Sequence, residues 1–173
     1  TTSSVPKGSG LSSSAAFEVI CARIFSEFYN EGKISAMELA KAGKYAENEF
    51  FGKPCGLMDQ TASAVGNLVT IDFFDRDNPV IKPVNFDFAA CGHALCIIDT
   101  RASHADLTDE YAAIPNEIKS ICACFDKEVL TEIDEAEFYA AIPALRQQCG
   151  DRAVMRAIHF YQENARVPRQ VEA

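Results

Sequence analysis

The chain has 173 residues, of which 48% are hydrophobic and 24% are charged. This balance is that of an ordinary globular protein with enough apolar material for a core. The net charge of -9 and the scattering of Lys and Arg along the chain disfavour nucleic acid as a partner. No apolar run in the sequence is long enough to cross a bilayer, so we expect no membrane partner either.

The cysteines favour a reducing compartment. There are seven of them, an odd number, and most lie in apolar stretches. Free thiols are the simpler interpretation, which predicts a cytoplasmic protein. Cys122 and Cys124 are separated by one residue rather than by the two that a shared metal needs, so we expect buried free thiols there.

Three helices are predicted first along the chain. Apolar residues from Phe17 to Phe28 recur at helical spacing and predict an amphipathic helix over residues 11–29, packed on an apolar partner. Ser35 and Glu38 form a capping box that starts a second helix at Ala36, running to about residue 48. A third, short helix follows over about residues 59–65.

Short strands are predicted next. Residues 68–73 form a strand, and turn residues at 75–79 follow. Val84, Phe86 and Phe88 alternate with polar residues and predict the returning strand of a hairpin. Residues 94–98 are a continuous apolar run, typical of a strand buried on both faces.

The rest of the chain is predicted to be helical. One helix carries Tyr111 and Cys122 on one face, and Pro115 should kink or divide it. Asp134 caps a helix through residue 141, and Asp151 starts another. Residues 167–173 predict the first turn of a further helix. We therefore expect a mixed α/β (α+β) fold in which helices dominate after residue 103.

The strongest motif is a turn rich in Gly and Ser that leads directly into the first helix, Pro6-Lys7-Gly8-Ser9-Gly10-Leu11-Ser12-Ser13-Ser14-Ala15-Ala16. Such a turn directs backbone N–H groups and the positive end of a helix dipole at one point, as a di- or triphosphate requires. Gly8 and Gly10 permit the close approach that a side chain would block. Neither the Walker loop nor the dinucleotide fingerprint is present, and a bare Gly-Ser-Gly favours a flexible linker or a plain helix cap.

A second motif pairs two carboxylates. Glu47 lies near the end of one predicted helix, and Asp59 lies in the first turn of the next. Carboxylates delivered by adjacent helix ends can serve one site, where one holds a cation and the other addresses a hydroxyl. Taken singly, each is more typical of a surface charge or a helix-dipole partner.

These strings resemble a known family. Pro-x-x-x-Gly-Leu-Ser-Ser-Ser-Ala is similar to the second motif of the GHMP kinases, and A-E-x-x-F-x-G-x-P-C-G-x-M-D-Q, which contains Glu47 and Asp59, closely resembles galactokinases. Residues 97–100, 104–107, 110–111 and 156–167 continue the resemblance. Lys7 departs from it, since an apolar residue is usual there, and residues 112–115 replace the basic run that many members place after the tyrosine.

The resemblance implies a fold and an activity. Residues 1–90 would be the end of the N-terminal, ATP-binding, ribosomal-S5-like domain of a GHMP kinase fold, and residues 91–173 the start of its ferredoxin-like C-terminal domain. The implied reaction is ATP-dependent phosphorylation of galactose at the C1 hydroxyl, giving galactose 1-phosphate and ADP. N-acetylgalactosamine or arabinose kinases, and a non-catalytic sugar and ATP sensor, share these motifs and remain alternatives.

The resemblance also implies site residues, with ATP and Mg²⁺ as cofactors. Ser14 and Glu47 would ligate Mg²⁺, Asp59 would act as general base or orienting group, and Gly56, Asp59 and Tyr111 would line the sugar. The ATP phosphates would be bound by Gly8, Ser9, Gly10, Leu11, Ser12, Ser13 and Ser14. The family's N-terminal sugar-binding motif and its later Gly-rich motif do not occur in these residues, so we expect an interior piece that needs flanking segments of its own chain for activity.

Overall fold

The computed structural model describes residues 2–5, 10–75, 77–98 and 108–173. The chain divides into two compact units, residues 1–105 and residues 106–173. The predicted domain boundary near residue 90 stays a prediction. None of the helices in the described part of the chain is long and apolar enough to span a membrane.

Three helices pack in pairs in the first unit: α1 (Ser13–Asn30), α2 (Ala36–Tyr45) and α3 (Met58–Val65). The predicted capping box is confirmed at the start of α2. The N–H of Glu38 donates to the Ser35 hydroxyl at 3.3 Å, and the N–H of Ser35 donates to the Glu38 carboxylate at 2.9 Å. Because the box satisfies two otherwise unpaired N–H groups, it fixes the first residue of this helix.

The buried face of α1 differs from the predicted one. Its buried residues are Ala15, Val19 and Ser26, which are small enough for close helix packing. The larger apolar side chains of Phe17 and Phe28 are exposed. The expected packing of the large apolar face is therefore not met within the described residues. Periodicity reports which residues share a helix face, but not which face a neighbour covers.

A five-residue π-helix, Ala46–Phe50, continues α2. Its wider turn is marked by the N–H of Phe51, which donates to the carbonyl of Ala46 at 3.3 Å. A single α-helix to about residue 48 was expected here. Within this wider turn Glu47 is buried, at 4% exposure of the residue. π-turns inside helices often lie at functional sites.

A two-stranded antiparallel hairpin follows α3, with β1 (Val69–Asp72) paired to β2 (Val80–Pro83). The returning strand therefore ends before Val84, and its prediction around Val84, Phe86 and Phe88 is wrong. The chain reverses at the predicted turn, where the Asp75 carboxylate accepts hydrogen bonds from the N–H groups of Asp77 and Asn78, at 2.9 and 3.0 Å. The returning strand begins directly after this turn, at Val80, rather than at the alternating residues further on.

The predicted buried strand at residues 94–98 is not formed. Leu95, Ile97 and Ile98 are exposed in an irregular segment. A strand buried on both faces needs strands beside it. Among the described residues the only sheet is the β1–β2 pair, so no partner strand is available to this segment.

The second unit consists of α4 (Thr108–Ala123), a short 3₁₀ turn (Leu130–Glu132), α5 (Glu135–Cys149) and α6 (Asp151–Glu172). Its apolar core is centred on Phe138, which is fully buried. The predicted cap at Asp134 is confirmed, since its carboxylate accepts from the N–H groups of Ala136 and Glu137, both at 3.0 Å. The start at Asp151 is confirmed as well.

Proline divides fewer helices than predicted. Pro115 does not divide α4, and the predicted kink there stays a prediction. Helix α5 continues past the predicted end at residue 141 with Pro143 inside it. Pro168 lies inside α6, so the separate helix expected at residues 167–173 is wrong. An interior proline costs a helix about 3 kcal/mol, so the packing of these helices on the core of the unit outweighs that cost. The mixed α/β class, with helices dominant in the second unit, is confirmed.

Candidate functional site

Asp59 lies against the turn that precedes α1. The Ser12 hydroxyl donates to Asp59 Oδ2 at 2.6 Å, across 47 positions of sequence. Helices α1 and α3, which pack on each other, hold the two residues in place. The aspartate and the serine-rich turn, predicted separately from two motifs, therefore meet.

Ser12 has an unusual backbone. Its φ of 52° and ψ of 44° lie in the left-handed region, which costs most residues about 1–2 kcal/mol. Ser12 also occupies the N-cap position of α1, yet its side chain makes no capping hydrogen bond. Because the hydroxyl turns to Asp59 instead, it leaves the first N–H groups of α1 uncapped by this residue. Such N–H groups favour an anion.

Glu47 is a buried carboxylate with several donors around it. Lys53 Nζ lies 2.8 Å from Glu47 Oε1, and Gln60 Nε2 donates to Oε2 at 3.1 Å. Burial acts to raise the pKa of Glu47, but hydrogen bonds from Lys53 and from the Ser14 hydroxyl outweigh it, so the pKa is lowered. Glu47 therefore carries its negative charge at neutral pH.

A second carboxylate approaches the same amide. Gln60 Nε2 lies 3.4 Å from Glu18 Oε2 and 3.6 Å from the Cys55 sulfur. Burial and the negative charge of Glu47 raise the pKa of Glu18, and the same two causes raise the pKa of the Cys55 thiol. Gln60 is 1% exposed, and its Oε1 has no hydrogen-bond partner among the described residues. Gln60 thus bridges two acidic groups of different pKa.

Two hydrogen bonds shape the loop between the π-helix and α3. The N–H of Cys55 donates to Asn48 Oδ1 at 2.8 Å, and the N–H of Lys53 donates to the Glu47 carbonyl at 3.1 Å. The loop delivers an exposed Gly56 three residues before Asp59. A Cβ at Gly56 would meet nothing within 4 Å, so a ligand has room to approach its backbone.

The structure gathers most of the predicted site residues of the first unit. Gly10 and Leu11 lie immediately before Ser12, and Ser13 and Ser14 are the first two residues of α1. Gly8 and Ser9 lie outside the described residues. Tyr111 lies on α4 of the second unit and is 57% exposed. Its predicted contact with the sugar stays a prediction.

Four residues of this cluster were not predicted from the sequence: Glu18, Asn48, Lys53 and Gln60. A signal existed for Gln60, which follows Asp59 directly in the motif. Lys53 also stands inside that motif string, but its pairing with Glu47 depends on the π-helix. Glu18 gave no signal, since a charged residue between apolar positions is usually solvated.

The donor set fits a magnesium ion. No group of three or more His, Cys, Asp or Glu side chains in the described ranges could hold a metal. Mg²⁺ does not need one, because it usually takes one or two protein oxygens and completes its shell with water and substrate phosphates. The Ser14 hydroxyl and the Glu47 carboxylate are hard oxygen donors, and Ser14 lies close enough to Glu47 to help lower its pKa.

Comparison with known proteins gives a consistent result. Residues 1–67 match the family described as "GHMP kinases N terminal domain". The chain is 35% identical over 169 residues to a galactokinase of Streptomyces coelicolor, covering 98% of this chain and 43% of the relative.

Two further relatives, also named galactokinases, agree. The chain is 33% identical over 172 residues to a galactokinase of Actinobacillus pleuropneumoniae serotype 3, covering 99% of this chain and 44% of the relative. It is 36% identical over 176 residues to a galactokinase of Glaesserella parasuis serovar 5, again covering 99% and 44%. The chain thus spans less than half the length of the curated relatives it matches.

Proposed function

Because residues 1–67 match the GHMP kinase N-terminal domain and the chain is similar to galactokinases along nearly its whole length, we propose that the protein is a GHMP kinase that transfers the γ-phosphoryl group of ATP to the C1 hydroxyl of galactose. The products are galactose 1-phosphate and ADP. The observation that supports this most directly is the 2.6 Å hydrogen bond between Ser12 and Asp59. It joins a phosphate-binding turn to an acidic group that can address a sugar hydroxyl.

The phosphate tail of ATP binds at the N-terminus of α1 in this proposal. The backbone N–H groups there, with the hydroxyls of the serine run, donate to the phosphate oxygens. Gly10 has a φ of 77° and open space at its Cβ position, so phosphate can approach the backbone closely. The proposed phosphate-binding set is Gly8, Ser9, Gly10, Leu11, Ser12, Ser13 and Ser14.

Ser14 and Glu47 hold Mg²⁺ in this proposal. When bound, Mg²⁺ neutralises charge on the transferring phosphates. The role of the chain is to keep Glu47 ionised in a buried setting, which Lys53 and Gln60 do through their hydrogen bonds. Lys53 supplies the positive charge that balances Glu47 when no other cation is near.

Asp59 addresses the sugar. Its exposed carboxylate, held by Ser12, takes the proton of the C1 hydroxyl as a general base, or accepts a hydrogen bond from that hydroxyl and orients it for in-line attack on the γ-phosphorus. Phosphoryl transfer needs mainly positioning and charge stabilisation, and a fixed carboxylate supplies both. Gly56 and Tyr111 complete the proposed sugar contacts.

The direct test is Asp59→Asn in the full-length protein, because asparagine can still accept a hydrogen bond from Ser12. We expect turnover of galactose to fall at least 1,000-fold, on the order expected when a positioned acid–base group is lost, with ATP affinity unchanged. Asp77→Asn, at an exposed position of the same unit, is the matched control. Retained turnover in Asp59→Asn removes this residue from the mechanism.

Sugar choice and location complete the proposal. Galactose is preferred over N-acetylgalactosamine and arabinose because the relatives are named galactokinases, and turnover of all three sugars by the full-length protein checks this. A non-catalytic sensor is not favoured. None of the seven cysteines, all of which lie in the described residues, forms a disulfide, which supports a cytoplasmic location.

A further inference from the structure

The ends of two helices bring a pair of thiols together in the second unit. Cys124 directly follows the last residue of α4, and Cys149 is the last residue of α5. Their sulfur atoms are 3.4 Å apart, although 25 positions separate them in sequence. Helices α4 and α5 contact each other, so the pairing is part of the helix packing rather than of one mobile turn.

Both thiols also share one acceptor. The carbonyl oxygen of Ser120 lies 3.3 Å from the Cys124 sulfur and 3.5 Å from the Cys149 sulfur. The Cys124 sulfur has a second acceptor, Gln148 Oε1, at 3.4 Å. These contacts direct the two sulfurs at a common point, so little rotation separates them from bonding distance.

The pair is accessible, unlike the neighbouring cysteine. Cys124 is exposed and Cys149 is half-buried, whereas Cys122 is 1% exposed and belongs to the apolar core. The Cys-Ala-Cys sequence at the end of α4 therefore separates one structural thiol from one reactive position. A small reagent can reach Cys124 without any unfolding of the core.

We propose that Cys124 and Cys149 form a reversible disulfide site that is oxidised by low-molecular-weight disulfides. A disulfide has an S–S length of about 2.05 Å, so the two sulfurs must approach by about 1.3 Å. Rotation about the Cα–Cβ bonds at two helix ends supplies such a movement. In a reducing cytosol such bonds are transient, which makes this a site of redox modification rather than a permanent bridge.

The chemistry proceeds by two exchange steps. The Cys124 thiolate attacks one sulfur of a reagent disulfide, forms a mixed disulfide and releases one reagent thiol. The Cys149 thiolate then attacks the Cys124 sulfur of the mixed disulfide, forms the internal bond and releases the second reagent thiol. Two electrons pass from the protein to the reagent, and the two protein thiol protons leave on the two released thiols.

The bond would constrain the second unit. It closes a 26-residue ring, counted from position 124 to position 149, which contains all of α5. A ring of this size removes enough unfolded-state freedom to raise the unfolding midpoint of so small a unit by on the order of 10 °C. The bond would join the C-terminal ends of α4 and α5 and so stabilise the packing of the two helices.

The test treats the reduced chain with oxidised glutathione and maps tryptic peptides without reduction. Partial desolvation and the neighbouring Cys149 raise the pKa of the exposed Cys124 thiol, so the reaction is run at pH ~8.5, where enough thiolate forms. We expect peptide 120–127 linked to peptide 147–152, an intact mass lower by about 2 Da, and reversal by a reducing agent.

Variants identify the sulfurs. Peptide 120–127 contains both Cys122 and Cys124, so Cys122→Ala should keep the link, while Cys124→Ser and Cys149→Ser should abolish it and lose the shift in midpoint. Cys91→Ser, at an exposed position of the first unit, is the matched control and should keep the link.

Three results would overturn the proposal. The first is a link that persists in Cys124→Ser, which would assign the bond to Cys122. The second is a stable glutathione adduct on Cys124 that Cys149 does not displace, and the third is a link found only between two chains. Circular dichroism of each reduced variant checks that it folds. We expect both serine variants to fold, because neither position is among the buried core residues.

Discussion

The hydroxyl of Ser12 and the carboxylate of Asp59 are joined by a hydrogen bond of 2.6 Å that ties the turn before α1 to the first turn of α3. Hydrogen bonds to ionised acceptors are shorter and stronger than neutral ones. Ser12 therefore restricts the carboxylate to one orientation while its own backbone sits in the left-handed region. Strained backbone of this kind is found where a site is held in advance of its ligand.

Two substitutions of Ser12 distinguish the role of its hydroxyl from that of its left-handed backbone. Ser12→Ala and Ser12→Gly both remove the donor to Asp59, so we expect both to lower kcat in the full-length protein, by about 10- to 100-fold, because a misplaced catalytic group is costly. Only glycine adopts a φ of 52° without strain. The free energy of unfolding of the glycine variant should therefore be about 1 kcal/mol higher than that of the alanine variant.

Urea unfolding and steady-state kinetics of both variants check this. Ser63→Ala, on the exposed surface of α3, is the control and should change neither quantity. Equal stability of the two Ser12 variants would show that the left-handed backbone is not retained. A normal kcat in both would show that Asp59 does not depend on Ser12.

The sequence predicted well those features that depend on local chemistry. The starts of α2 and α5 follow from caps whose side chains lie within three residues of the N–H groups they accept from. The π-helix could not be predicted, since it depends on burying Glu47 beside Lys53 and Gln60, contacts made only after α2 and α3 pack. The failed strand at residues 94–98 shows the same limit, because an apolar run does not reveal whether a partner strand exists.

Lys53 should compete with a divalent cation for Glu47. Its ammonium lies 2.8 Å from Glu47 Oε1, where it balances a charge that Mg²⁺ would otherwise balance. Lys53→Met removes the competitor, so we expect several-fold tighter binding of Mn²⁺, a paramagnetic substitute for Mg²⁺. Titration by electron paramagnetic resonance measures this directly. Lys82→Met, exposed on β2, is the control, and unchanged or weaker Mn²⁺ binding in Lys53→Met would contradict the competition.

The same substitution should lower stability in the absence of metal, with a defined pH dependence. Lys53 is 60% exposed, so the loss is expected to be about 1 kcal/mol at pH 7. The pKa of Glu47 is lowered in the folded state. Its contribution is therefore present above the ordinary pKa of 4.5 and is lost as the pH falls through the lower folded value. The difference in unfolding free energy between wild type and Lys53→Met should shrink in that acid range, and a constant difference would rule out the ion pair as its cause.

Gln60 should stabilise the acidic cluster by donating to both carboxylates. Gln60→Met keeps the volume but removes the amide, which leaves Glu47 with one donor fewer in a buried setting. We expect a loss of about 1–3 kcal/mol in unfolding free energy and weaker Mn²⁺ binding. Gln147→Met, exposed on α5, is the control. An unchanged stability would show that Gln60 fills space without supporting the charge of Glu47.

Tyr161 should make the second unit sensitive to alkaline pH. Its hydroxyl lies 3.2 Å from the carbonyl oxygens of Leu130 and Ile133, inside the core. Tyr161→Phe leaves these acceptors without that donor, so we expect a loss of about 1–2 kcal/mol at pH 7.

Burial, with a smaller contribution from Cys122, raises the pKa of Tyr161 from 10.0 to about 12. The unfolded chain then loses its phenolic proton near pH 10, whereas the folded chain keeps it until about pH 12. Wild type therefore loses stability across this window, by up to about 1.4 kcal/mol per pH unit, while a phenylalanine cannot ionise. The stability difference between wild type and Tyr161→Phe should close between pH 10 and 12, as measured by urea unfolding followed by circular dichroism. Tyr139→Phe, on the surface of α5, is the control, because it shows how the loss of an exposed phenol changes the pH dependence of stability. A difference that stays constant or widens with pH would show that the phenol of Tyr161 does not donate to the 3₁₀ turn in the folded state.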